Sequence, residues 1–471
     1  MSKNNKDPKR VPHNLEAVAR RELGIELDKE HQKADWASEL SPDMLEYAAT
    51  DARVLLPLAD VLETKAADAG LERVLEIEHR ALPAMAWMAG AGVPFDSDGW
   101  GEHLKRVVRA EVGRLRGELD ALAPGHPGGG TRNWNSPQQT KEAFALAGVD
   151  LPDTSKKTLS RCPHPLAKAL LAYRKASKVV GTYGPGLLER VRPDGRIYAS
   201  WRQIGTATGR MSCKAPNLQQ LPKDALRRHV RAPEGRAIVA ADYAQAELRI
   251  LAEASGEPAL VGAFGAGKDP YKATAAGMFG VQEEVTTEQR SAAKGINLSI
   301  IYGKTPHGLA EDLGLGVREA RNLMGRYFGA HPKVNAYLKL TATEALATGV
   351  GRTPAGRTRR FGDVAALRGS KRRTVERKAK NFPMQGGCTD GLKLALALLF
   401  ERRHERPGAF PIACVHDEIL VECAEREVEK VGAWLGRAMK DGMAGALDAP
   451  GVGGPRVPIG VEVKSGKTWD G

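Results

Sequence analysis

The chain has 471 residues, long enough for two to four domains that each bury a core. Lysine and arginine total 70 against 57 aspartate and glutamate, and the resulting +13 favours a polyanionic partner such as nucleic acid. Five cysteines without a C-x-x-C pair argue against a zinc framework and fit a reducing compartment. The polar opening MSKNNKDPKR has no apolar h-region behind it, and no apolar run is long enough to span a bilayer. A soluble, intracellular protein that makes no use of a membrane is expected.

In chain order, residues 11 to 64 are predicted helical, from Leu15, Val18, Ala19 and Leu23 and later Leu45, Leu55, Leu56, Leu58 and Leu62. Within them, Tyr47-Ala-Ala-Thr-Asp51 places a phenol and a carboxylate on one helical face. With Trp36 and Leu40, this stretch resembles the last part of a DnaQ-like 3′→5′ exonuclease, where the Tyr-x-x-x-Asp pair serves a metal site. Two-metal hydrolysis needs several convergent carboxylates, and that family's other acids lie upstream of this point. Asp28-Lys-Glu30 mimics the family's D-x-E but falls too close to Tyr47 to be that strand motif. Residues 1–70 are therefore expected to be an inactive, truncated C-terminal remnant of an exonuclease domain.

Helices are predicted again from Leu71 to about Leu122, with a turn around Gly92 and Pro94. APGHPGGGTRNWNSPQQ is a Gly/Pro-rich break. From Asn135 to Tyr183 the chain carries Lys156, Lys157, Arg161, Lys168, Arg174, Lys175 and Lys178, which form either a solvated basic face or a track for a phosphate backbone. Ile197, Ala199 and Trp201 alternate as a strand does. Beyond them, up to Pro222, a polar stretch suits phosphate, sugar and minor-groove contacts, with Arg210 as its leading anchor.

RAIVAADY, Arg236 to Tyr243, reads as a buried strand delivering Asp242 at its tip, and a helix starts near Gln245 and Glu247. FPIACVHDEILVEC, Phe410 to Cys423, reads as two apolar strands around a tight His416-Asp417-Glu418 turn. Two strand-end carboxylates far apart in sequence are what two-cation phosphoryl transfer requires. Between them, QRSAAKGINLSIIYG reads as a helix with Arg290, Lys294, Leu298 and Tyr302 four apart on one side. Ala292, Ile296 and Ile300 form a core-facing stripe, Thr286 and Gln289 a capping box, and Gly303 the helix end. Such a helix is either an ordinary surface element or a grip for a triphosphate.

Taken together, DYAQAELR, RSAAKGINLSIIYG and VHDE resemble motifs A, B and C of family A DNA polymerases, the group of bacterial DNA polymerase I and many phage replicases. TATGR, PNLQQLP, ERKAKNFPMQG and GVEVKSGKTW match in the family's order, and the resemblance covers about residues 71 to 471.

It implies an α+β right hand preceded by the short helical remnant: thumb 71–190, palm 191–260 and 381–471 around an antiparallel sheet, helical fingers 261–380. A basic loop from Arg352 to Lys380 is expected to return from fingers to palm. The resemblance implies that Asp242 and Asp417, with the Tyr243 carbonyl, hold two Mg²⁺ ions, with Mn²⁺ as a substitute, and that Glu418 is an accessory acid. Arg290 and Lys294 grip the incoming triphosphate, and Lys294 serves the pyrophosphate leaving group. Gln245, Glu247, Tyr271, Leu298 and Tyr302 surround the incoming dNTP, with Glu247 and Tyr302 closing the space beside the sugar C2′. Arg210, Asn217, Gln219, Arg377, Asn381, Gln385 and His416 contact primer–template DNA. Two positions depart from the family: Leu298 is usually aromatic in the cellular enzymes, and Tyr271 stands where many members carry His. Leu298 faces either the sugar or the core beside Ile301. A monomeric enzyme of replication or repair is expected, in a bacterial or phage-infected cytoplasm. A separate exonuclease chain and a processivity factor are candidate partners. A single-subunit RNA polymerase is disfavoured by Glu247 as a steric gate, and an inactive DNA-binding protein by the presence of both acids.

Overall fold

The computed structural model describes residues 12–125, 129–281, 284–448 and 456–471. The polar opening segment and the centre of the Gly/Pro-rich break lie outside them. The chain divides into two compact units, residues up to 77 with 356–358, and residues 78–355 with 359–471.

The first unit holds the helices Leu15–Leu23 and Pro42–Asp68. Continuous helix over 11–64 is not what forms. Gly24 closes the first helix at φ 70, its amide bonding the Arg20 carbonyl at 3.1 Å, and residues 24–41 contain only the single turn Glu30–Lys33. Ser41 then caps the second helix by accepting from the Met44 amide, with Pro42 in the first turn. Met44, Val54 and Leu58 are buried, whereas Leu45, Leu55, Leu56 and Leu62 are exposed.

The second unit is built on a four-stranded antiparallel sheet of β1 (Arg236–Tyr243), β2 (Phe410–Val415), β3 (Glu418–Ala424) and β4 (Val461–Gly466), in the order β4-β1-β3-β2. Both faces are covered, which explains why β1 reads as an unbroken apolar run. Val239, Ala241 and Tyr243 face one core with Ile419, Val421 and Cys423 of β3, while Ile238, Ala240 and Leu420 face another with Trp100, Ile197 and Trp469. The first face is packed by α4 (Gly369–Glu401) and α5 (Val428–Leu447). These two helices approach closely at Gly391 and Gly442: a Cβ on Gly391 would stand 2.7 Å from Met443 Sδ, and one on Gly442 would collide with the Ala395 backbone.

A helical lobe, Arg109–Leu122, Pro137–Leu146, Lys156–Arg161 and Pro165–Tyr183, closes around Leu119, Trp134, Phe144, Leu159, Leu166 and Leu170. A second helical lobe follows β1 and begins with α1 (Ala246–Ser255), α2 (Pro270–Phe279) and α3 (Thr287–Ile301). The capping box at Thr286 and Gln289 is present in both directions. Asn297, fully buried in α3, donates to Thr274 Oγ1 of α2 at 3.2 Å and accepts from the Tyr327 hydroxyl at 3.2 Å, so α3 is locked in rotation against its neighbours.

The loop expected over Arg352 to Lys380 is only partly a loop. Residues 369–380 already belong to α4, which runs unbroken through the position assigned to the fingers–palm boundary. Arg, Lys and Ala favour helix, and Arg372 pairs with Glu376 one turn on at 3.3 Å.

Candidate active site

The end of β1 and the β2–β3 turn converge by strand register. Asp242 lies opposite Glu418 of β3 on one side and Glu462 of β4 on the other, and the Tyr243 amide donates to the Asp417 carbonyl at 3.3 Å. The Tyr243 hydroxyl donates to Met439 O of α5 at 2.7 Å, fixing this strand end on the helix beneath. Asp242 keeps an open face to solvent, but the packed strand ends beside it exclude water. That burial, with the carboxylates of Asp417, Glu418 and Glu462, pushes its pKa up to about 6. Glu418 has partners of its own. Its Oε2 accepts from Trp469 Nε1 at 2.9 Å and lies 3.7 Å from Arg227, while Oε1 lies 3.3 Å from Lys464. The Arg227 guanidinium stacks on Trp469 at 3.9 Å.

A cleft of about 460 Å³ opens beside these acids, lined among others by Arg210, Tyr243, Gln245, Glu247, Tyr271, Leu298, Tyr302, His416 and Asp417. Arg210 Nη2 stands 3.5 Å from Glu247 and 3.7 Å from Asp417, spanning the two acids. Burial raises the Glu247 carboxyl above its usual range against the pull of Arg210, and its Oε1 has no hydrogen-bond partner among the described residues. Burial and the facing Glu247 carboxylate push the Tyr302 phenol up to about 12. Gln245 and His416 both adopt left-handed backbone, at φ 54 and 58, a conformation that costs about 1–3 kcal/mol for residues with a Cβ and gathers at functional sites. Leu298 is 40% exposed in this cleft while Ile301 is buried, so Leu298 does not pack into the core beside Ile301. A second, smaller opening shares Arg210, His416 and Asp417 and brings in Asn217 and Gln219. There Gln219 Nε2 donates to Cys414 O at 3.1 Å, and Asn217 Oδ1 accepts from the Gln219 amide at 3.1 Å.

On α3, Ala293, Ile296, Ile300 and Ile301 are buried, leaving Arg290, Lys294, Leu298 and Tyr302 accessible along one side. Arg290 Nε donates to Asp269 Oδ2 at 2.6 Å, and its guanidinium stands over the Tyr271 ring at 5.7 Å. Partial burial opposes ionisation of Asp269, but Arg290 and the Tyr271 amide outweigh it and hold the carboxyl below its usual range. Lys294 is exposed and without an ion-pair partner among the described residues. Arg377, Asn381 and Gln385 follow one another along α4. Asn381 Nδ2 donates to Ile301 O at 3.1 Å, and Arg377 lies so close to Gly303 (φ 62) that a Cβ there would meet its Cγ at 2.9 Å. None of Arg290, Lys294, Arg377, Asn381 and Gln385 lines either opening.

Residues 103–471 match the sequence model of DNA polymerase family A. The chain belongs to that family. Residues 1–67 match the model of a 3′-5′ exonuclease. Among relatives, the thermostable DNA polymerase I of Thermus aquaticus is 35% identical over 92% of this chain and 52% of its own length. DNA polymerase I of Pseudomonas aeruginosa is 34% identical over 90% of this chain and 47% of its own. The chain thus spans about half the length of the curated relatives it matches. The solved POL domain of Pol1 from M. smegmatis, in complex with DNA primer-template and dNTP, superposes with a TM-score of 0.82. It is 27% identical and is matched over 98% of this chain and 79% of that one. The second unit accordingly has the right-hand fold of a family A polymerase domain, helix-rich around a small antiparallel sheet.

Family A DNA polymerases are metal-dependent as a class. Among the described residues, no three His, Cys, Asp or Glu side chains form a ready-made cation cage. The donor set available is Asp242, Asp417 and the Tyr243 carbonyl, all hard oxygens of the kind that suits Mg²⁺ or Mn²⁺. Burial first, and then the carboxylates of Asp417, Glu418 and Glu462, raise the Asp242 pKa, and a cation beside these clustered acids would offset both. Two participants escaped the sequence reading. Asp269, which takes up Arg290, has its signal in the N-cap position of DPYKATA. Glu462 has its signal only in the pairing of β4 with β1.

In the first unit, Asp28, Glu30, Tyr47 and Asp51 line one cleft. Asp28 Oδ1 accepts from the Glu30 amide at 3.0 Å, which makes D-x-E a turn there and not a strand. Among the described residues, no helix is long and apolar enough to cross a membrane.

Proposed function

We propose that this chain is a template-directed DNA polymerase that adds dNTPs to a primer 3′-OH and releases pyrophosphate. The observation that carries the reading is the meeting of Asp242 and Asp417 at strand ends beside a cleft walled by Glu247, Leu298 and Tyr302. Asp242, Asp417 and the Tyr243 carbonyl would hold two Mg²⁺ ions, with Mn²⁺ as a substitute. Bound there, they would supply a lowered pKa at the primer hydroxyl and positive charge against the leaving pyrophosphate.

The chain's own residues do the rest. Arg290 and Lys294 hold the triphosphate, and Lys294 is the donor positioned to protonate the pyrophosphate as it departs. Arg290 reaches the phosphates by exchanging its bond to Asp269 for them. Glu247 and Tyr302 occupy the space a ribose 2′-hydroxyl needs. Arg210, Asn217, Gln219, Arg377, Asn381, Gln385 and His416 contact the primer–template, testing base-pair geometry through minor-groove acceptors common to all Watson–Crick pairs. Arg210 leaves Asp417 in that state. We read residues 71–190 as thumb, 191–260 and 381–471 as palm, and 261–380 as fingers, acting as a monomer on DNA and dNTPs in the cytoplasm. The M. smegmatis POL domain is held in complex with DNA primer-template and dNTP, and the likeness of this chain to it supports the substrate assignment.

Primer extension tests it. Wild-type chain with Mg²⁺ and dNTPs should extend a labelled primer. Asp417→Asn should bind the same DNA yet extend it at least about a thousandfold more slowly, several kcal/mol of transition-state stabilisation. Extension by that variant at the wild-type rate would overturn the assignment.

A further inference from the structure

Strand register lines up a row of acids at the end of the sheet. Glu462 of β4 lies opposite Asp242 of β1, and Asp242 lies opposite Glu418 of β3, so the three side chains leave the sheet on one face. Paired positions hold their Cβ atoms about 4.5–5.5 Å apart, close enough for one cation to draw neighbouring carboxylates together. Yet no three acids gather into a cation cage among the described residues.

One row back on the same face stands Lys464 of β4, two residues from Glu462 and opposite Ala240 of β1. The bare methyl of Ala240 leaves it free to lean across β1 toward β3, and its Nζ lies 3.3 Å from Glu418 Oε1. The other oxygen of Glu418 is taken by Trp469 Nε1 at 2.9 Å, with Arg227 at 3.7 Å. Within the row, among the described residues, only Glu418 has a cation against it, and it has one on each oxygen.

Release of Oε1 would put a third hard carboxylate beside Asp242, within reach of the same ions. Mg²⁺ sites that work on phosphates use one or two carboxylates and leave their other positions to water and phosphate oxygens. A third carboxylate would hold the ion more tightly and fill a position that the triphosphate or the primer hydroxyl needs.

We propose that Lys464 is a positioning residue: it holds Glu418 away from the metal ions, so that the carboxylates binding them are Asp242 and Asp417 alone. The proposal rests on the polymerase reading, and the two can fail separately.

The test titrates Mn²⁺ into the full chain without DNA or nucleotide and reads the free ion by its electron paramagnetic resonance signal. Lys464→Met alters a side chain that is 51% exposed on an edge strand, so the fold should stand, as a melting curve will show. It should bind Mn²⁺ about threefold or more tightly than the parent, the effect of one partly screened charge on a nearby divalent ion. Lys464→Arg, which keeps the cation, should bind as the parent does. Glu418→Gln should weaken binding far more in the Lys464→Met background than in the parent, because only there does its carboxylate reach the ion. Parent-like affinity in Lys464→Met overturns the proposal, as does an equal gain in Lys464→Arg. Effects of Lys464→Met and Glu418→Gln that simply add also overturn it, since a remote charge acts the same with or without Glu418. Asp417→Asn in the same titration tests the reading beneath. If that change leaves the affinity of the parent unmoved, the ions are not held at the polymerase site.

Discussion

Asp242 is placed where a carboxylate is least comfortable, and that discomfort has a sign. Its pKa is about 6 in the folded protein, against about 3.9 for an unperturbed aspartate in the unfolded chain. Between those values the native state binds the extra proton, so stability falls as pH rises through that window, and the full penalty stands above pH 6. A cation at the site relieves the penalty only where the carboxylate is ionised. Mg²⁺ should therefore raise the melting temperature more at pH 7.5 than at pH 5, and Asp242→Asn should remove most of that difference. Equal Mg²⁺ shifts at the two pH values would show that Asp242 is not where the ion binds. Glu247 makes a second residue-scale test. Replacing it with Ala opens the space beside Tyr302 and should admit ribonucleotides more readily, by about tenfold, roughly the effect of one small steric contact. Unchanged discrimination between rNTP and dNTP incorporation would place the gate elsewhere. The acids were legible because each ends a short apolar run at a turn. Asp269 and Glu462 were not, because a cap and a cross-strand neighbour look like any other surface carboxylate until the partner strand or helix is in place.

Among the elements, α4 is tied to the rest of the second unit by charge as well as by close packing. Lys393, fully buried in α4, pairs with Glu78 at 2.5 Å, and Gln203 Nε2 donates to the Glu78 carbonyl at 2.6 Å. Removing one partner strands a buried charge. Lys393→Met should therefore destabilise the fold by about 3–5 kcal/mol, and adding Glu78→Gln should recover a good part of that loss. Urea unfolding of the single and double variants measures both. A single variant as stable as the parent would mean that the pair is dispensable. The sequence carried β1, β2, β3 and α3 clearly, since their periodicity, caps and turn residues all point the same way. It misread the first turns of α4 as loop because a run of arginines and lysines shows no apolar stripe; only the helix's later, buried half supplies one. It also joined two helices across Gly24, where spaced leucines concealed a helix end.

At the scale of the whole molecule, the polymerase unit is joined to a short stretch that matches an exonuclease model only over residues 1–67. In that stretch Asp28 and Glu30 share a cleft with Tyr47 and Asp51, but they sit in a turn and not on the strand from which a D-x-E motif presents its acids. The chain by itself should thus leave a mismatched primer end intact when incubated with Mg²⁺ and no dNTPs. Shortening of that primer, abolished by Asp51→Ala, would show that the stretch retains nuclease activity.

The sheet order carries a further consequence, for how the protein comes into being on the ribosome. β1 lies between β3 and β4, so the strand bearing Asp242 borrows both neighbours from segments translated more than 170 residues later. Until then its backbone edges are open, and an apolar strand with open edges is a template for pairing between chains. Trp469, which holds Glu418, emerges later still. A premature stop codon after α5 would leave a message encoding Asp242, Asp417 and Glu418 and a product unable to assemble them, one handed to proteases and chaperones before it could meet DNA.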